Sequence, residues 1–399
     1  MKIKNVVIIN DFDYVQGGAS QIALDTAEML AKYGINVYFF SAVSNYELKN
    51  NNIINISCNQ KECLKDRNRI RGLINGIYNF SAKKKLENLL KKLNNKETIV
   101  HIHGWTKALS SSVFDIVHRL NFKIVLTMHD YFLFCPNGGM FNYKKNECCS
   151  LKAGSFKCFC SNCDSRNYLF KIYRNIRLFV QNKIIRVPQI VKYVIYVSNF
   201  SKKILQSYLK KEIVGKIINN PVKTIDVFEK NVEITGDYFL YVGRICKEKG
   251  VEIFCEAIMQ ANKKGIIIGD GPEFKKLKNK YKDYKKIEFL GWKNKEDIFN
   301  YMYFSLALVF PSKWYETAGL TVVEAHSTGT SVIMSNDIAA NEYFEEGDII
   351  FEKGNVNELA NIFAHYDAKK KVRKSKQFSI EEYGNRIINL YEEILKGNI

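Results

Sequence analysis

The stretch KWYETAGLTVVEAHSTGTSVI, Lys313–Ile333, carries two glutamates, Glu316 and Glu324, in a mostly apolar segment punctuated by Gly319 and Gly329. A plain core helix has no use for that arrangement. The preceding LALVFPS reads as a strand, so a helix should begin near Ala318 or Gly319. The backbone amides of Thr317, Ala318, Gly319 and Leu320 would then point at an anion held on the helix N-terminus. Glu316 precedes that end and Glu324 lies more than a turn inside it. A rise of about 1.5 Å per residue puts the two carboxylates roughly 8–12 Å apart. Carboxylates accept hydrogen bonds from hydroxyls and repel phosphates, so the spacing suits two sugars on either side of a diphosphate. As a bare pair the glutamates read equally well as surface residues.

Two other strand ends offer matching chemistry. YVGRICKEKGVE, Tyr241–Glu252, delivers Arg244 and Lys249 into one loop just before a helix. Arginine supplies a planar fork for phosphate oxygens and lysine a mobile point charge, enough to neutralise a diphosphate without a metal. Near the start of the chain, Gly17 and Gly18 separate the first strand from a long helix. A glycine pair there lets backbone amides approach an anion, though the same pair also serves as a tight turn.

Between Cys135 and Cys163 lie six of the chain's ten cysteines. In a cytoplasmic protein such a cluster argues for metal over disulfides. Four thiolates would make a closed tetrahedral zinc site that stabilises a loop lacking its own core. Cys160 and Cys163 have chelate spacing, and free thiols remain the alternative.

These residues need a scaffold, and the chain supplies one twice. KNVVIIN, NVYFFSAV, TIVHIHG, FKIVLTMHD and YVIYVS are short apolar runs alternating with helical segments, which predicts a parallel, doubly wound α/β sheet. After a polar connector, Asn219–Asp237, the pattern restarts with YFLYVGR, GIIIGDGP, IEFLG, LALVFPS and TSVIMS. The expected organisation is an N-terminal Rossmann-like domain over 1–222, with a Cys-rich loop at 135–163, and a second Rossmann-like domain over 223–378. A C-terminal helix over 379–399 would dock on one of them, the N-terminal domain being the candidate. Its apolar positions Ile380, Tyr383, Ile387, Leu390, Tyr391 and Ile394 share one side. Ligands of such sheets bind outside the carboxyl ends of the strands.

Taken together, the glycine loop, the Arg–Lys loop and the PS…E…GL…EA…G…VI string from Pro311 to Ile333 resemble the retaining nucleotide-sugar glycosyltransferases of the GT-B group, glycosyl transferases group one. The resemblance implies two Rossmann-like domains facing across a cleft. It assigns Arg244 and Lys249 to the donor diphosphate, Glu316 to the transferred sugar, Glu324 to the nucleotide ribose and Gly17–Gly18 to the donor phosphates. It places a histidine near the transferred sugar, matched by His129 in TMHD; His101 and His103, on the preceding strand, read as buried or supporting residues. The segment HDYF…CPNGG…C…KC…NCDSRNY looks like a subgroup of bacterial surface-polysaccharide transferases, acting in capsule, O-antigen or exopolysaccharide synthesis. That pattern selects Cys135, Cys149, Cys158 and Cys163 as zinc ligands, leaving Cys148 and Cys160 aside.

The implied reaction moves a sugar from a nucleotide diphosphate to a saccharide hydroxyl and needs no catalytic metal, since the basic loop already carries the charge. Lys and Arg number 60 against 41 Asp and Glu, a net charge of +19, which favours anionic partners. The helix expected from about Asn167 to Arg186 mixes Lys and Arg with Phe, Tyr, Leu and Ile. It suits an anionic inner-membrane surface bearing a lipid-linked saccharide acceptor, or equally a core helix with a basic outer face. No apolar run approaches the roughly 18–20 residues of a membrane span, so a cytoplasmic protein is expected, with peripheral attachment to the inner leaflet. Two rival readings are a nucleotide-sugar epimerase or hydrolase of the same fold, and a basic zinc-containing nucleic-acid binder. The duplicated α/β pattern and the glutamate pair weigh against specific nucleic-acid binding.

Overall fold

The computed structural model describes residues 3–45, 52–222, 236–367 and 378–398. Most of the connector expected at Asn219–Asp237, and the lysine run Lys369–Lys371, lie outside them. The chain forms two compact units. One comprises Met1–Gly139, Leu151–Pro221 and Phe378–Ile399; the other comprises Met140–Ser150 and Val222–Gln377.

The first unit is built on seven parallel strands: β1 (Asn5–Phe12), β2 (Asn36–Val43), β3 (Ile53–Ser57), β4 (Thr98–Ile102), β5 (Lys123–Met128), β8 (Tyr193–Tyr196) and β9 (Val214–Ile217), in the order β3-β2-β1-β4-β5-β8-β9. The inner strands β1, β4 and β5 are buried nearly throughout, as a parallel sheet covered on both faces requires. The terminal helix, Ile380–Lys396, belongs to this unit. Tyr383, Ile387, Leu390, Tyr391 and Ile394 are buried along its inner side. The Tyr383 hydroxyl meets Thr26 Oγ1 at 2.8 Å, and the Tyr391 hydroxyl meets His101 Nδ1 at 2.6 Å. Gly384 permits this close approach, since a Cβ there would lie 2.7 Å from Met29 Sδ.

In the second unit, β10 (Phe239–Val242), β11 (Gly265–Ile268), β12 (Ile287–Gly291), β13 (Ala307–Phe310), β14 (Val332–Ser335) and β15 (Ile349–Phe351) form a parallel sheet in the order β12-β11-β10-β13-β14-β15. Phe239 stacks on Phe363, and Phe254 meets Phe363 edge-on, within its core. The expected Cys-rich loop is divided between the units. Its stretch 140–150 groups with the second unit as a small antiparallel hairpin, β6 (Phe141–Asn142) and β7 (Glu147–Cys148). Tyr143 Oη donates to Glu248 Oε1 at 3.2 Å, and the Cys148 thiol donates to the Lys313 carbonyl at 3.1 Å. Those tertiary bonds, absent from any local pattern, decide where the hairpin goes.

Candidate functional site

In the second unit the winding reverses between β10 and β13, the topological switch point where open α/β sheets bind ligands. The loop after β10 carries Arg244 and leads through a short turn to Lys249; the loop after β13 carries Pro311 to Gly319. The two loops meet in an ion pair. Lys249 Nζ donates to Glu316 Oε1 at 2.7 Å, and Ser312 Oγ donates to the same oxygen at 2.7 Å. The ammonium also lies 5.7 Å from the Phe310 ring centroid and 5.6 Å from that of Trp314. Burial opposes the lysine's charge, but the Glu316 carboxylate outweighs it and the pKa of Lys249 is raised. Arg244, by contrast, has an exposed side chain.

Glycines make this approach possible. Gly250 adopts φ 69°, and a Cβ there would stand 1.9 Å from the Pro311 carbonyl oxygen, so no other residue fits between the two loops. The loop after β11 closes in the same way. A Cβ at Gly269 would meet the Gly243 oxygen at 1.9 Å, and one at Gly271 the Ile245 oxygen at 2.3 Å. Gly269 and Gly271 were not among the expected site residues. The signal available was a Gly-Asp-Gly triplet directly after a strand.

The helix after β13 runs Leu320–Thr328, with Gly319 as its N-cap at φ 79°. Its start agrees with the position expected from the sequence, and Thr317, Ala318 and Gly319 lead into it. Glu324 lies on this helix and is half-buried. Its carboxylate oxygen is 3.3 Å from Lys295 Nζ. Burial raises the pKa of Glu324, against a smaller lowering from Lys295. The two glutamates therefore face different lysines and are not one charge cluster.

In the first unit the reversal falls between β1 and β4. Gly17 is the N-cap of the helix Gly18–Lys32; it is exposed, with open space where a Cβ would stand. His129 follows β5, and its Nε2 meets His103 Nδ1 at 2.9 Å. Burial pushes His129 down to about 3, so its imidazole is neutral. His103 is depressed as well by burial and its histidine neighbours, and its Nε2 lacks a partner among the described residues. His101 is bonded on both sides, to Tyr391 at 2.6 Å and to Thr127 Oγ1 at 2.7 Å, which makes it structural. Asp130, beside His129, is pushed up to about 6 by burial and was not anticipated.

Of the cysteines expected to bind metal, Cys135, Cys158 and Cys163 are buried in the first unit, and Cys149 belongs to the 140–150 hairpin segment. Lys171, fully buried, places Nζ 3.2 Å from Cys163 Sγ and 3.8 Å from Cys158 Sγ. The Cys135 thiol donates to Asn137 Oδ1 at 3.1 Å. Burial opposes the charge of Lys171, but Cys163, Cys158 and Cys135 together raise its pKa. As arranged, no group of three or more His, Cys, Asp or Glu side chains among the described residues could hold a metal ion. The thiols surround an ammonium instead.

Residues 223–378 match the family model described as Glycosyl transferases group 1. An uncharacterized glycosyltransferase of Methanocaldococcus jannaschii is 29% identical over 217 residues, covering 50% of this chain and 62% of that protein. An uncharacterized 42.6 kDa protein in a cps region of Klebsiella pneumoniae is 26% identical over 268 residues, covering 66% of this chain. The chain spans 62% of that relative's length too. Among solved structures, Anabaena HepE in complex with UDP and glucose superposes with a TM-score of 0.69 at 16% identity, covering 98% of this chain and 100% of that one.

Proposed function

We propose that the chain, whose residues 223–378 match the glycosyl transferases group 1 and whose fold is that of the GT-B transferases, moves a sugar from a nucleotide diphosphate to a saccharide hydroxyl with retention of anomeric configuration. The observation that carries the reading is the Lys249–Glu316 pair at the switch point of the second sheet. When the bond between the sugar's anomeric carbon and the phosphate oxygen breaks, negative charge grows on the diphosphate and positive character on the sugar. Arg244, Lys249 and the amides at the start of the Leu320–Thr328 helix stabilise the first. Glu316, held by Lys249 and Ser312, orients the sugar. Glu324 accepts from the ribose hydroxyls. The acceptor oxygen bonds to the anomeric carbon on the face the phosphate leaves, and the departing phosphate takes the hydroxyl proton.

Gly17 and Gly18 are assigned to the donor phosphates, and His129 to the sugar as a neutral hydrogen-bonding group, since an imidazole depressed to about 3 carries no charge near pH 7. UDP is the first donor nucleotide to test, because HepE binds it. The cps-region relative supports a role in surface-polysaccharide synthesis, and a lipid-linked saccharide is the acceptor this role implies. Cations from the protein supply the charge that a catalytic divalent metal would otherwise bring. Zinc enters only as a structural ion. Cys158 and Cys163, already drawn around the buried Lys171 ammonium, are the thiols that would turn to a soft metal if that ammonium swung out.

The test is to incubate the full chain with a panel of nucleotide sugars, with and without saccharide acceptors. Acceptor-dependent release of the nucleoside diphosphate and an axial-for-axial or equatorial-for-equatorial product, read by NMR, is expected. Turnover that ignores the acceptor would replace this reading with epimerisation or hydrolysis.

A further inference from the structure

The helix Tyr168–Phe179 is inside out. Its cations face the protein: Lys171 lies among the thiols, and the Arg177 guanidinium donates to the carbonyls of Thr106 at 3.1 Å and Pro136 at 3.2 Å. Arg174 is paired with the buried Asp164 at 3.1 Å. Its exposed side is apolar, with Leu169 (74% exposed), Ile172, Ile176 and Phe179 at helical spacing. The sequence left open whether this helix met a membrane surface or was a core helix with a basic outer face; its outer face is apolar, not basic. Rotating the helix to hide the stripe would strand three cations, so their bonds hold the apolar side outward.

A second apolar stripe lies beside the first. On the helix Arg69–Ile77, Ile70, Leu73 and Ile74 are exposed. Tyr173 Oη donates to the Leu73 carbonyl at 3.1 Å. Gly76 allows the contact, because a Cβ there would stand 2.0 Å from that hydroxyl oxygen. Phe156, 82% exposed, sits on the short helix Phe156–Cys160, whose Phe159 carbonyl accepts from Asn175 at 3.3 Å. An apolar surface drawn from three adjacent helices is unusual on a soluble monomer.

The charge around it has one sign. Within 65–77 and 151–190 the only carboxylates are Asp66 and Asp164, both buried and both paired, with Arg71 and Arg174. Arg67, Arg69, Lys157, Lys183 and Arg186 are exposed in the same segments. We propose that these helices form a docking surface for an anionic lipid bilayer, with Leu169, Ile172, Ile176, Ile70 and Phe156 entering the interface and the arginines and lysines meeting lipid phosphates. A second copy of the chain is the poorer occupant, because self-complementary pairing would set one basic rim against another. The surface gives the lipid-linked-acceptor reading its partner, and it stands or falls on binding and not on turnover.

The experiment is flotation of the full chain with vesicles of phosphatidylcholine alone or with about one-third phosphatidylglycerol. The wild type should float with the anionic vesicles and at least about tenfold less with the neutral ones. Leu169→Ser with Ile176→Ser, and separately Lys183→Gln with Arg186→Gln, should each lower binding by about tenfold. Both double variants should keep the wild-type thermal shift with nucleoside diphosphates, which shows that they fold. No flotation of the wild type overturns the proposal. So does a concentration-dependent dimer in sedimentation that the Leu169/Ile176 variant abolishes without any change in flotation. Flotation without any nucleotide response keeps the lipid surface and removes the transferase reading.

Discussion

Lys249 Nζ and Glu316 Oε1 stand 2.7 Å apart, joining the loop after β10 to the loop after β13 in the second sheet. The glutamate end is buried, 5% exposed, while the Lys249 side chain keeps 24% of its surface exposed. Breaking a fully buried pair costs about 3–5 kcal/mol, and the partly exposed lysine brings this one below that range, whereas removing both partners together costs far less. Glu316→Ala should therefore lower both stability and turnover. Glu316→Gln combined with Lys249→Met should recover most of the melting temperature and none of the activity. Urea melts and initial rates on the three proteins check this; recovery of activity along with stability would reduce the pair to scaffolding.

Glu324 faces Lys295 and not Lys249, so its loss should be felt separately. Glu324→Gln should raise the donor KM by about tenfold, the worth of one or two hydrogen bonds to a bound hydroxyl, with kcat within a factor of about three. Steady-state kinetics decide it: a fall in kcat equal to that in kcat/KM would assign Glu324 to the transition state.

Two glycines with left-handed backbone should differ sharply. Gly354 adopts φ 88° with open space around its would-be Cβ, so Gly354→Ala should cost about 1–2 kcal/mol. Gly250, at φ 69°, faces the Pro311 oxygen at 1.9 Å, and Gly250→Ala should cost clearly more and separate Lys249 from Glu316. Equal losses in chemical denaturation would mean that the two loops yield easily.

Burial holds His101 and His129 down to about 3, and His103 is also depressed. The unfolded chain takes up these protons near pH 6.5, whereas the folded one does not. Stability from the three histidines is therefore full above about pH 6.5 and falls as pH drops from there toward about 3, by up to about 1.4 kcal/mol per pH unit for each histidine. Denaturant midpoints at pH 7 and pH 5 should show the drop; unchanged midpoints would mean that the imidazoles are solvated.

Purified protein should contain about one equivalent of structural zinc if Lys171 yields its place to a metal. Elemental analysis with thiol titration of the native chain checks it. No bound metal, with all thiols freely reactive, would leave Lys171 as the permanent companion of Cys158 and Cys163. Activity should survive a chelator that leaves the zinc in place.

The inner strands were legible because each is a short β-branched or aromatic run ending in a loop, and the terminal helix because its apolar residues recur at helical spacing; the outer strands β3, β9 and β15, short and only partly buried, were not singled out. The start of the Leu320–Thr328 helix was legible from Gly319. Other features were not legible either. The facing of Tyr168–Phe179 is set by the partners of Lys171, Arg174 and Arg177, which no periodicity encodes, so its composition fitted both a membrane-facing helix and a core helix with a basic outer face; the outer face is apolar, which removes the second. The membership of the 140–150 hairpin rests on Tyr143 meeting Glu248 and Cys148 meeting Lys313, which no local pattern encodes. The role of Gly269 and Gly271 appears only once the strand order sets their loop against Gly243 and Ile245.

The switch point of the second sheet should bind a nucleoside diphosphate. Melting temperatures of wild type and Arg244→Gln, measured with UDP, GDP, ADP and TDP, test it most directly. Arg244 is exposed, so its substitution should leave the unliganded fold unchanged. At least one diphosphate should raise the melting temperature of the wild type by mass action, and the same ligand should raise that of Arg244→Gln much less. No shift with any diphosphate, or an equal shift in the variant, would contradict the account.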